Sequence, residues 1–156
     1  MPVITTADYR SLAAFRYEMR KFLAFSELAA RATGVEPQQH QLLLAVRGLP
    51  AAVRPTIRTI AERLCVQHHS AVALVDKLEA RGFIVRERSS DDRREVLLRL
   101  TPAGAAILRK LSALHRKQLR TVAPAMVRAL QLILGANGAP AASRVARRAA
   151  HRAAAA

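Results

Sequence analysis

Residues 56–100 read TIRTIAERLCVQHHSAVALVDKLEARGFIVRERSSDDRREVLLRL, and a change of period inside this stretch decides the fold. Thr56 suits the N-cap of a short helix whose inward positions are Ile57, Ile60, Ala61 and Leu64. A break follows at Cys65-Val66-Gln67. A second helix is expected from Ser70 to Arg81, where Ala71, Val72, Leu74, Val75 and Leu78 recur at helical spacing. Gly82 stands where a left-handed C-cap is wanted. Two short helices joined by so tight a break form a helix-turn-helix. Beyond Gly82 the period falls to two. Phe83 to Arg88 and Glu95 to Leu100 are strand-length runs; in the second, Val96, Leu98 and Leu100 share one face, with Glu95 and Arg99 on the other. The polar run Ser89-Ser90-Asp91-Asp92-Arg93-Arg94 between them reads as a hairpin tip.

Outward from this stretch the chain is helical. From Asp8 to Thr33, Leu12, Phe15, Met19, Phe22 and Ala29 form a heavy apolar stripe that needs a partner surface, and Gly34 ends it. Glu36-Pro37 opens another helix, dense in Leu42, Leu43, Leu44 and Val46, which Gly48 and Pro50 close. After the hairpin, Thr101-Pro102 starts a helix by N-cap and first-turn logic, carrying Ile107, Leu111, Leu114 and Val122. Pro124 is expected to begin a last helix with Val127, Leu130 and Leu134, ended by Gly135. The sequence thus predicts a mainly α fold with a small β-hairpin wing. Residues 8–134 form one domain, in which 36–100 make a winged helix-turn-helix flanked by helices at 8–33 and 102–134. Residues 135–156 are an Ala/Arg-rich tail without a core of its own.

Composition narrows the function. Twenty-six Lys and Arg against eleven Asp and Glu leave a formal charge of +15 at pH 7. Such an excess repels itself in a compact chain and points to nucleic acid as the offsetting partner. Cys65 is the only cysteine, so no intrachain disulfide forms and an oxidising compartment is not indicated. No N-terminal leader pattern and no membrane-spanning apolar run are present, so a cytoplasmic protein is expected. Enzyme readings find no Gly-rich phosphate loop, nucleophile–base spacing or metal-ligand cluster.

The helix-turn-helix and the hairpin divide the work of reading DNA. A helix fits the major groove, where each base pair shows a distinct donor and acceptor pattern. A narrow hairpin tipped with Arg fits the minor groove, whose negative potential attracts guanidinium groups. Here Gln67, His68, His69 and Ser70, all hydrogen-bonding types, stand at the end of the second helix that would meet base edges. Arg93 and Arg94 stand at the wing tip, with Arg86 and Arg88 on the strand leading to it.

The run from Leu64 through Val72 to Leu78-Glu79-Ala80-Arg81-Gly82 resembles the MarR family of bacterial regulators. So do Asp91-Asp92-Arg93-Arg94 at the wing and Leu100-Thr101-Pro102-Ala103-Gly104 after it. The resemblance covers roughly residues 8 to 134. It implies a homodimer in which the terminal helices at 8–33 and 102–134 interlock as dimerisation helices. It also implies repression at a pseudo-palindromic operator, with release by a small phenolic, lipophilic or oxidising effector. By position it places His68, His69 and Ser70 at the start of the recognition helix, and Ala73 and Lys77 one and two turns along. Arg93 or Arg94 would enter the minor groove, while Asp92 would brace the wing. Two departures stand out: Cys65 where the family commonly has Gly, and Gln67-His68-His69 where it has small Ser, Thr or Pro residues.

Blander assignments compete at several residues. His68 and His69 are adjacent and point apart on a helix, so a DNA or capping role is favoured over metal ligation. His40 and His115 are expected to be satisfied structural histidines. Cys65, between Leu64 and Val66, is expected to be a half-buried small hydrophobe rather than an oxidation sensor. Arg109, Lys110, Arg116, Lys117 and Arg120 are expected on the solvated side of a connecting helix. An effector-independent architectural DNA binder is the alternative to a regulator. No cofactor and no metal are expected.

Overall fold

The Thr56 hydroxyl accepts the backbone N–H of Thr59 at 3.2 Å, and the first helix of the helix-turn-helix starts there. In the computed structural model, which describes residues 4–90 and 95–135, the elements run α1 (Thr6–Ala32), α2 (Pro37–Gly48), α3 (Ile57–Leu64), α4 (His68–Ala80), β1 (Ile84–Arg88), β2 (Val96–Leu100) and α5 (Pro102–Leu134). The expected architecture is therefore present: a mainly helical chain with one antiparallel hairpin, in register from Ile84 opposite Leu100 to Arg88 opposite Val96. Helix α4 begins two residues earlier than periodicity suggested, which makes Gln67 its N-cap and puts His68 and His69 in its first turn.

Three helices end with the same backbone device. A residue in the left-handed region lets the next N–H reach back five residues, as in Val35 N–H to Ala30, Val66 N–H to Ala61 and Phe83 N–H to Leu78, at 3.0, 3.0 and 2.9 Å. Gly34 and Gly82 hold that position at φ 75° and 68°. Cys65 holds it in α3, at φ 54°. Contrary to expectation, Cys65 is exposed rather than half-buried. The left-handed turn between α3 and α4 swings its side chain out of the apolar line that Leu64 and Val66 continue.

Of the described residues, those up to Phe22 and those from Leu119 form one compact unit, and Leu23–Gln118 form another. The second holds the core of Leu42, Leu43, Ile60, Leu74, Val75, Leu78, Ile84, Leu98 and Leu108. The wing is tied to this core at its base. Leu98 N–H donates to Pro55 O at 2.8 Å, Thr56 bridges Leu97, and the Arg54 guanidinium pairs with Glu95 and reaches Ser89 Oγ at 3.3 Å.

The start of α5 is hooked onto the end of α4. Thr101 Oγ1 donates to Gly82 O at 2.6 Å and accepts Gly104 N–H at 3.1 Å, while Thr101 N–H donates to Phe83 O at 3.0 Å. Gly104 lies so close to this turn that a Cβ there would sit 2.0 Å from Phe83 O. The Leu-Thr-Pro-x-Gly run is thus a backbone joint that only glycine fits. One element differs from expectation: α5 is a single helix with Pro124 inside it, not two helices. Pro124 removes one N–H donor, but the Ala- and Leu-rich turns on both sides favour helix strongly enough to carry it through.

Candidate nucleic-acid interface

Helix α4 has two distinct sides. Ala71, Leu74, Val75 and Leu78 are buried, so its back is fixed on the core, whereas Gln67, His68, His69, Ala73, Asp76 and Lys77 are exposed and Ser70 is half-buried. The Gln67 side chain makes no capping hydrogen bond, and the first-turn N–H groups give this end a partial positive charge. Polar side chains and unpaired N–H groups thus converge at one exposed helix end, the arrangement that a groove edge or a phosphate requires. His69, Ala73 and Asp76 follow one another along a single face at helical spacing. Asp76 was not among the residues singled out from sequence, although that spacing contains it.

The wing arginines are not equivalent. Arg88 closes β1, is exposed, and has no ion pair among the described residues. Arg86 is held. Its guanidinium pairs with Asp76 through Nη2 and with Glu79 through Nη1, and its backbone N–H donates to Glu79 Oε1 at 3.3 Å. Burial opposes its charge, but the hydrogen bonds to Asp76 and Glu79 and the two negative charges outweigh that and raise its pKa above the usual guanidinium value. Sequence separation hid this pairing, since ten and seven residues and a chain reversal intervene. Asp92, Arg93 and Arg94 lie outside the described residues, as does the tail beyond Gly135.

At the other end of α4, Arg81 clamps the turn between α1 and α2. It donates to Gly34 O at 2.7 Å and to Gln39 Oε1 at 3.1 Å, and lies 4.7 Å over the Phe83 ring. Gln39 neighbours an unexpected feature. His40 is 1 % exposed, yet neither of its ring nitrogens finds a hydrogen-bond partner among the described residues, so it is not the satisfied structural histidine expected. Its ring lies 4.7 Å from that of His115, which meets Phe25 edge-on at 5.9 Å. Burial and the neighbouring His115 push the His40 pKa down to about 4. His115 is lowered too, by burial, against a hydrogen bond with the Ser26 backbone that works the other way.

The family model that matches residues 33–95 is that of the MarR family. An uncharacterised helix-turn-helix-type transcriptional regulator of Bacillus subtilis, YkoM, is 31 % identical over 111 residues, covering 68 % of this chain and 69 % of that protein. The chain belongs to the MarR family. A candidate transcriptional regulatory protein for the hcr operon of Thauera aromatica is 28 % identical over 103 residues, or 66 % of this chain; the match spans only 60 % of that relative's length. Among solved structures, a mutant MarR from E. coli complexed with operator DNA superposes with a TM-score of 0.57 at 23 % identity, over 67 % of this chain and 73 % of that one. It shares the fold.

Membership in the MarR family makes this chain a relative of transcriptional regulators rather than of enzymes. Among the described residues no helix is long and apolar enough to cross a membrane, and no three His, Cys, Asp or Glu side chains group to hold a metal. His68 and His69 are both exposed, with no third ligand near them among those residues.

Proposed function

We propose that this MarR-family chain is a cytoplasmic, sequence-specific DNA-binding repressor that works as a homodimer on a pseudo-palindromic operator. The observation that carries the reading is the two-sided α4: a core-fixed back and an exposed N-terminal turn of Gln67, His68, His69 and Ser70, beside a wing strand ending in Arg88. On this reading Ala73 and Lys77 continue the major-groove face, and Ala73 suits contact with a thymine methyl. Arg93 and Arg94 supply the minor-groove contact, braced by Asp92. That the E. coli MarR sharing this fold was solved in complex with operator DNA supports the DNA-binding reading.

Dimerisation is supported by apolar side chains left uncovered on the terminal helices, among them Tyr9, Leu12, Leu119 and Leu130. A two-fold dimer sets its recognition helices about one helical turn of DNA apart. Release by a small phenolic or lipophilic effector is supported by the buried His40, whose ring nitrogens have no hydrogen-bond partner among the described residues and whose ring lies beside that of His115. The reading is tested by titrating palindromic promoter fragments at rising salt, with random duplex as competitor. Affinity should fall steeply with salt, and the promoter fragment should win. Equal affinity for both duplexes would reduce the chain to an architectural binder. Replacing both Arg93 and Arg94 with Ala should weaken binding and leave the dimer intact.

A further inference from the structure

The pairing of Arg86 with Asp76 and Glu79 assigns this arginine a task other than touching DNA. Asp76 lies on the same face of α4 as His69 and Ala73, and its side chain is 59 % exposed. A bare carboxylate there faces the phosphates that the helix approaches, and like charges at such range repel. Glu79 stands one turn further on and is 38 % exposed. Arg86 reaches both from β1 with the two ends of one guanidinium, a geometry that a planar fork provides and an ammonium does not. Its own side chain is 26 % exposed, and its donors are directed at the helix.

We propose that Arg86 is a positioning residue that acts on DNA through Asp76 and Glu79. It neutralises two carboxylates at the recognition helix and fixes β1, and with it the wing, against α4. This rests on the DNA-binding reading above. It separates Arg86 from Arg88, which has no such partner among the described residues and is left to meet phosphate.

The test is a double-mutant cycle read by DNA affinity, using a duplex that the unmodified chain enriches from a random-sequence library. Arg86→Ala should weaken binding roughly tenfold in the native background, but by less than about twofold when Asp76→Asn and Glu79→Gln are already present, because nothing is left to neutralise. A direct phosphate contact would cost the same in both backgrounds, and that result overturns the proposal. So does an Arg86→Ala chain that binds as well as the original. A purely structural role would lower the melting temperature in both backgrounds and leave the affinity of the folded chain unchanged. Arg86→Lys, which retains the charge and guards against a misfolded Ala variant, should still bind several-fold more weakly; full retention shows that a point charge suffices and refutes the fork. If the unmodified chain enriches no duplex, the DNA-binding reading fails, and this inference with it.

Discussion

The two compact units solve the problem of apolar surface differently. Leu23–Gln118 encloses a core of large side chains, with Leu42, Leu43, Ile60, Leu78, Ile84, Leu98 and Leu111 all fully buried, although Leu28, Leu44 and Leu114 stay exposed. In the unit built from the chain ends the buried side chains are few and small, such as Ser11, Val122 and Ala129, while Tyr9 is 65 % and Leu132 66 % exposed. The first unit has a core closed by its own chain. The second needs another surface, and on the proposed reading a second copy of the same helices supplies it by symmetry. The stability of the winged helix should therefore depend on internal joints, and that of the terminal helices on concentration.

The most severe break should come at the joint. Gly104→Ala would force a methyl to 2.0 Å from Phe83 O, and both the backbone and the N-cap of α5 would have to move. We expect a loss of about 3 kcal/mol or more, read by chemical denaturation. Gly48→Ala is the control. A Cβ at Gly48 meets nothing within 4 Å, so that variant should be neutral or slightly more stable. Equal effects at the two glycines would remove close approach as the explanation.

A second break is chemical. The folded His40 pKa of about 4 lies below the ordinary 6.5, so between these values the unfolded chain holds a proton that the folded one refuses. The stabilisation is complete above pH 6.5 and is lost as pH falls towards 4, by about 3 kcal/mol in all. Denaturation midpoints across that window should fall accordingly, and His40→Leu should flatten much of the slope. A slope that survives the substitution would place the titrating group elsewhere.

The terminal unit is tested by charge. Leu119→Glu with Leu130→Glu should raise the dimer dissociation constant about tenfold or more, seen by sedimentation, while amide protection in α3 and α4 persists. Unchanged association would break the contrast drawn between the two units. The smallest effect should be a gain. Cys65→Gly relieves a side chain held at φ 54° and should stabilise the winged helix by about 1 kcal/mol, visible as a higher melting temperature.

Local patterns carried most of the fold. The shift from helical spacing in Leu74, Val75 and Leu78 to alternation in Val96, Leu98 and Leu100 located the recognition helix and the wing, because each period follows from one backbone geometry. Pro124 misled because a proline marks a helix start and an interrupted helix with the same letter, and only the packing around it decides. The candidate interface was legible where exposure follows from helix phase, as for His69, Ala73 and Lys77. It was not legible where a tertiary contact reassigns a charge. Arg86 looks like any wing arginine until β1 folds back against Asp76 and Glu79, and His40 meets His115 only across seventy-five residues of chain. Gly104 showed its place in the family run, but the reason lies in the Phe83 carbonyl that it approaches.

The turn that Cys65 occupies has a practical consequence. The thiol is the only one in the chain, is solvent-exposed, and stands three residues before the recognition helix. A maleimide spin label would attach there and nowhere else, without any engineered substitution. In a two-fold dimer the pair of labels would report the spacing between the two recognition helices, with and without DNA, as a single measured distance.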